Sequence, residues 1–291
     1  MTRGIREEEG PGGLPFLAVD TERCRARLTP YGAQVCEWAP AGQAASVLFL
    51  SPRALFGAGS AIRGGVPVCF PWFAAHPSDA AKPAHGFART RLWRTGAVTR
   101  DESGDVGITF HLASDAQTRV LWDAEFAASI TVTLGTALTM TFTVENTGAA
   151  AFECEIALHS YLAVGDAAQT RVSGLERTRF IDKVDAMREH TTDDAPLAFS
   201  TEVDRIFVDT TSACTVNDPV LARNIQIEKT GSPVTVVWNP GPHKGPAVRD
   251  LGDAWDKFIC VETAHCRPLP LRVPPHSQHA MTARISVSGR A

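Results

Sequence analysis

Residues 129–145 read SITVTLGTALTMTFTVE, and the spacing of their apolar side chains decides the fold. Ile130, Val132 and Leu134 alternate with threonines, and after a glycine-containing break Leu138, Met140, Phe142 and Val144 resume the same period. Residues two apart share one face of an extended strand, whereas a helix brings together residues three or four apart. The stretch therefore predicts a β-hairpin with one apolar face. Asn146, Thr147 and Gly148 follow as a turn. The next run, AFECEIALHSYL (151–162), places Phe152, Cys154, Ile156 and Leu158 on one side and Glu153, Glu155, Ala157, His159 and Tyr161 on the other.

Working outward, the same period of two recurs at NIQIEK (224–229), VTVVW (234–238), KFICVE (257–262) and MTARISVS (281–288). Helical periodicity is absent apart from a short turn near residues 51–55. The chain reads as all-β, with large antiparallel sheets packed as a sandwich, because each sheet has an apolar face to cover. No low-complexity linker or block of charge divides it, so residues 15–291 read as a single domain. Residues 1–14, MTRGIREEEGPGGL, read as a disordered N-terminal segment.

The 291 residues are 44% hydrophobic and 21% charged, with a formal net charge of -4. That is the composition of a soluble globular protein without the basic surface that nucleic acid requires. No apolar run approaches the roughly 20 residues that cross a bilayer, and the amino terminus lacks an apolar signal core. The expected location is the cytoplasm, without membrane or nucleic-acid partners and as a monomer. Seven cysteines form no CxxC pair, and several lie in strand-like apolar runs. They read as buried reduced thiols rather than as disulfides or a zinc site.

Two side chains in these strands carry possible chemistry. His159 ends a strand whose other face is apolar. Glu262 lies in FICVETA (258–264), where Phe258, Cys260 and Glu262 share a face. A carboxylate in so apolar a strand is costly to bury unless it has a partner or a task. Taken singly, each residue also fits an ordinary structural place. A third cluster, IRGGVPVCFPWF (62–73) followed by PAHGFART (83–90), sets Arg63 and Arg89 among glycines, an arrangement suited to a small anion. No GxSxG elbow or metal-ligand spacing competes with these candidates.

In order, IRGGVPVCFPWF, PAHGFAR, ALHSYLAVGD (157–166), VDRIF (203–207), VVWNP (236–240) and FICVETA resemble the glucose-6-phosphate 1-epimerases, the hexose-6-phosphate mutarotase branch of the aldose 1-epimerase-like proteins. The resemblance runs from about Tyr31 to Val287. It implies a galactose-mutarotase-like β-supersandwich and the interconversion of α and β anomers of hexose 6-phosphates, glucose 6-phosphate first, with no cofactor or metal. By the same resemblance His159 is the general acid, Glu262 is the general base, and His85 lines the sugar site. Arg63 and Arg89 hold the phosphate, and Asp204 contacts sugar hydroxyls. Residues 241–256 depart from the acidic, aromatic-containing loop usual in that family. Two other readings remain open at this point: a carbohydrate-binding module without catalysis, and a mutarotase of unphosphorylated aldoses. The acid and base argue against the first, and the two arginines against the second.

Overall fold

The computed structural model describes residues 4–289. The hairpin lies where the sequence places it. Phe126–Leu134 pairs antiparallel with Ala137–Asn146, and Ile130 stands opposite Phe142 and Val132 opposite Met140. These strands occupy a nine-stranded antiparallel sheet, in the order Leu197–Ala198, Arg171–Ser173, Cys214–Asp218, Arg223–Thr230, Gln278–Gly289, Ala137–Asn146, Phe126–Leu134, Val106–Ala113 and Arg94–Arg100.

An eight-stranded sheet carries the rest of the architecture. Its order is Arg188–Thr191, Arg179–Asp182, Val203–Phe207, Val234–Asn239, Phe258–His265, Ile156–Leu158 and Val68–Cys69, with Tyr161–Ala163 also pairing to Phe258–His265. Alternation along Phe258–His265 shows how the two sheets divide their work. Ile259 and Val261 join one core cluster with Val132, Phe142, Ile225 and Ile285 of the nine-stranded sheet. Phe258, Cys260 and Ala264 face the other way, into smaller clusters, and Glu262 shares their face. Burying each of Ile259 and Val261 contributes about 1.5–3 kcal/mol. That holds the strand in place while its opposite face carries a carboxylate.

Three local expectations change. Residues 4–14 are ordered rather than disordered: Gly4–Glu9 pairs with Pro15–Asp20 in a four-stranded sheet, and Arg27 holds Glu8 at 2.8 Å. The acidic run is an edge strand whose charges face solvent and, at Glu8, Arg6 and Arg27. Residues 1–3 lie outside the described residues. Residues 51–55 form a short turn, with the Ala54 N–H donating to the Ser51 carbonyl at 3.0 Å, but a six-residue helix that the periodicity does not show forms at Ala116–Leu121. Asp115 accepts from the Thr118 N–H and Thr118 Oγ1 accepts from the Asp115 N–H, a capping box visible in SDAQT but too short to show a period. The strand expected to end at His159 resumes beyond it, since Tyr161–Ala163 continues along Phe258–Cys260. All seven cysteines are free and buried, and no helix is long and apolar enough to cross a membrane among the described residues.

Candidate active site

The register of the eight-stranded sheet brings the acid and the base together. Leu158 pairs with Thr263, and Tyr161 pairs with Cys260. Between these pairs the same register sets His159 opposite Glu262. On the other side of the glutamate strand Val236 pairs with Glu262 and Trp238 with Cys260. One strand further on, Asp204 pairs with Trp238. Asp204, Trp238, Glu262 and His159 therefore leave one face of four neighbouring strands.

They line a cavity of about 170 Å³ with Arg63, Phe73, His85, Lys183 and Val236. A larger space of about 640 Å³ lies beside Asp185, His190 and Arg205. It holds no buried acid facing a buried base, whereas the smaller cavity does. His159 Nε2 lies 3.3 Å from Glu262 Oε1, with the residues 6% and 1% exposed. The imidazole stacks on the Tyr161 ring at 4.8 Å and 9°. His159 Nδ1 and Glu262 Oε2 are buried without a hydrogen-bond partner.

Burial dominates the electrostatics of both groups. It pushes the Glu262 carboxyl well above the usual carboxylate range; Asp204 adds to the rise, and Lys183 and Arg89 oppose it. Burial holds His159 well below the usual histidine value, helped by His85, Arg89 and Arg63. His85 is lowered for the same first reason, with Arg89 and Lys183 adding to it. Its Nδ1 accepts from the Ala74 N–H at 3.4 Å and lies 3.3 Å from Cys69 Sγ. Asp204 is raised by burial against the pull of Lys183.

Of the sequence candidates, Arg63, His85, His159, Asp204 and Glu262 meet around the cavity. Arg89 does not line it: one Nη donates to the Ala84 carbonyl at 2.8 Å and Nε is buried unpartnered. Its charge still reaches both catalytic candidates. Arg63 is also braced, donating from Nε to Asp250 Oδ2 at 3.1 Å and from Nη1 to the Tyr161 hydroxyl at 2.9 Å. Asp250 comes from the 241–256 loop, which thus supports the site.

The glycines of these motifs have a different task from the one suggested by an anion site. Gly65 and Gly86 have φ of 62° and 73°, and a Cβ there would lie 2.2 Å from the Val35 carbonyl oxygen and 2.0 Å from that of Phe70. They allow backbone to pack on the protein's own backbone. Trp72 is core, donating to the Pro83 carbonyl, while Phe73 forms cavity wall against the His85 ring.

Lys183 escaped the sequence reading. In FIDKV (180–184) it follows a strand and resembles a surface lysine, yet its ammonium lies 2.7 Å from Asp204 Oδ2 and 5.8 Å from the Phe73 ring centre. The neighbouring strand fixes it, because the Lys183 N–H donates to the Asp204 carbonyl at 2.9 Å.

This geometry can be set beside known proteins. The aldose 1-epimerase family pattern matches residues 16–286. The chain belongs to the aldose 1-epimerase family. An Escherichia coli K12 protein provisionally named a glucose-6-phosphate 1-epimerase is 37% identical over 253 residues, which is 87% of this chain and 83% of that one. A similarly named protein of Cenchrus ciliaris is 31% identical over 90% of this chain and 82% of its own length. A Salmonella typhimurium crystal structure, provisionally called a mutarotase, matches this aldose 1-epimerase family member with a TM-score of 0.92 and 31% identity, covering 100% of this chain and 95% of that one. A galactose mutarotase related enzyme of Lactobacillus acidophilus shares the fold alone, with a TM-score of 0.76 and 13% identity over 95% of this chain and 98% of its own. The all-β, galactose-mutarotase-like sandwich is thus the fold of this chain.

Proposed function

We propose that this epimerase interconverts the α and β anomers of hexose 6-phosphates, glucose 6-phosphate first, through His159 as general acid and Glu262 as general base. The observation that carries the reading is the buried, directly opposed His159–Glu262 pair in a cavity whose wall includes Arg63 and Lys183. Glu262 takes the proton of the C1 hydroxyl while His159 protonates the ring oxygen. The C1–O5 bond breaks to the open aldehyde. Rotation about C1–C2 presents the other carbonyl face, and reclosure returns both protons. Each placed group contributes about 10²–10⁴-fold.

Arg63 is the phosphate ligand that the geometry favours, with Arg89 supporting the positive field from behind the wall. Asp204 accepts from sugar hydroxyls while Lys183 holds it in place, and His85 lines the ring. All of these side chains come from one copy of the chain, which suits a monomer. The free cysteines suit the cytoplasm.

The reaction needs one proton on the pair; burial leaves it on Glu262 at rest, and it passes across the 3.3 Å contact to His159 Nε2 before Glu262 acts as base. The directions of the two shifts define the pH window. A second proton is added only below the lowered value of His159, and the last is lost only above the raised value of Glu262. We expect kcat/KM to stay level through 6.5 and 4.5, the ordinary values of the two groups, with an acid limb below both and an alkaline limb above both. Glucose 6-sulfate is the substrate of choice, because the phosphate ester itself titrates near pH 6. A profile that peaks only between 4.5 and 6.5 would contradict the coupled buried pair.

Lys183→Met tests the support of Asp204. It leaves a buried carboxylate unpaired and removes a charge that opposes the rise of Glu262. Loss of a charged hydrogen bond worth about 1.5–3 kcal/mol should raise KM roughly tenfold or more. The rise should be equal for glucose 6-phosphate and glucose, and the alkaline limb should move to higher pH. An effect confined to the phosphorylated sugar would instead make Lys183 a phosphate ligand.

A further inference from the structure

We propose that His159, Glu262 and Cys260 together form an inhibitory site for a thiophilic divalent cation of the Zn²⁺ type. The inhibition rests on the acid and base reading of His159 and Glu262; the binding does not. Cys260 and Glu262 are two apart on one strand and leave the same face of the sheet, and Tyr161, next to Cys260 in register, carries the ring on which His159 stacks. One ligand atom from each of His159, Cys260 and Glu262 lies within 4.8 Å of the other two, and all three residues are buried. His159 Nδ1 and Glu262 Oε2 have no hydrogen-bond partner. Neither side chain is therefore fully satisfied by the protein.

Zinc holds sulfur at about 2.3 Å and nitrogen or oxygen at about 2.0–2.2 Å in a tetrahedron, which spaces its ligands roughly 3.3–3.8 Å apart. His159 Nε2 and Glu262 Oε1 already stand at 3.3 Å, and the thiol, whose sulfur lies within 4.8 Å of a ligand atom of each, closes by up to about 1 Å to complete the set. Three protein ligands leave one position for water or a sugar oxygen. A thiolate, an imidazole and a carboxylate favour Zn²⁺ or Co²⁺ over Mg²⁺ or Ca²⁺. Binding exchanges the Cys260 S–H proton and the one proton shared by His159 and Glu262 for the metal and releases both to solvent; no oxidant is involved. The metal then occupies the groups that must give and take the substrate's protons, so turnover stops and sugar phosphate competes with the ion.

The test is a Co²⁺ and Zn²⁺ titration of the full chain, read by absorption and by anomer exchange of glucose 6-phosphate. Co²⁺ should produce a thiolate-to-cobalt charge-transfer band with tetrahedral visible bands, and Zn²⁺ should erase both. Zn²⁺ should stop turnover where an equal concentration of Mg²⁺ does not, and a chelator should restore it. Cys260→Ala, with Cys260→Ser as the variant of preserved size, should retain basal exchange, lose the charge-transfer band and need about 100-fold more Zn²⁺ for half inhibition. Absence of the band in the wild-type chain would overturn the proposal. So would zinc sensitivity unchanged in Cys260→Ala, which would place the ion elsewhere, for example on the paired rings of His265 and His279. A Cys260-dependent band in a chain without epimerase activity would keep the metal site and remove the acid and base reading instead.

Discussion

Glu262→Gln should abolish epimerisation, leave binding of the sugar phosphate nearly intact, and raise the melting temperature at neutral and alkaline pH. The loss follows from removing the base, worth about 10²–10⁴-fold. The gain in stability follows from linkage. In the unfolded chain the carboxyl titrates near its ordinary value of 4.5, while in the folded protein it holds its proton to a higher pH. Below the ordinary value both states are protonated and burial carries no ionisation penalty. As pH rises from there through the raised folded value, the unfolded state alone gains by ionising, and stability is lost progressively. Glutamine cannot ionise, and its amide can donate to His159 Nε2. Each kcal/mol recovered should raise the melting temperature by about 2–4 °C. Melting curves of both proteins at pH 4 and pH 8 check this: the gap should open only at the higher pH. Wild-type turnover in the variant would remove Glu262 as the base, and a variant less stable at pH 8 would remove the raised carboxyl.

Arg63→Met should raise KM for glucose 6-phosphate by about ten- to a hundred-fold, the equivalent of one charged hydrogen bond of about 1.5–3 kcal/mol, and leave KM for free glucose nearly unchanged. Arg63 spends two of its N–H groups on Asp250 and Tyr161. A guanidinium carries five such donors, so the remainder of its fork is available to phosphate oxygens while the two braces fix its orientation. The brace complicates a bare activity reading, because methionine leaves Asp250 half-buried without its cation. The ratio of the two KM values separates the effects: general disturbance of the site raises both, and loss of a phosphate ligand raises one. Arg63→Lys, which keeps the charge and loses the fork, should fall between. An equal rise for both sugars would make Arg63 a structural brace and return the phosphate to Arg89 or Lys183.

The chemistry of this site is written locally, while its assembly is not. FICVETA shows by its period that Glu262 shares a face with Cys260, and ALHSY does the same for His159. That the two stand opposite each other depends on pairing strands about a hundred residues apart, which no local period encodes. Lys183 was hidden for the same reason: only its neighbour across the sheet, Asp204, turns an ordinary strand-end lysine into part of a cavity. The arginines show the converse limit, since IRGG and HGFAR look alike in sequence, yet Asp250 and Tyr161 bring Arg63 to the cavity and the Ala84 carbonyl ties Arg89 back. The glycines beside both arginines stand out in the sequence, but the reason for Gly86 is the approach of the Phe70 carbonyl from within the protein. The edge strand at Gly4–Glu9 carries three consecutive glutamates, and a strand paired on one side with polar residues facing solvent has little alternation to reveal it.

The central claim is most directly tested by exchange spectroscopy on the anomeric protons of equilibrated glucose 6-phosphate, with and without the protein, beside parallel samples of glucose and galactose. The account predicts faster α–β exchange of the phosphorylated sugar, with much smaller acceleration of the free sugars and none in His159→Ala. Folded protein that leaves glucose 6-phosphate exchange at its spontaneous rate would contradict it.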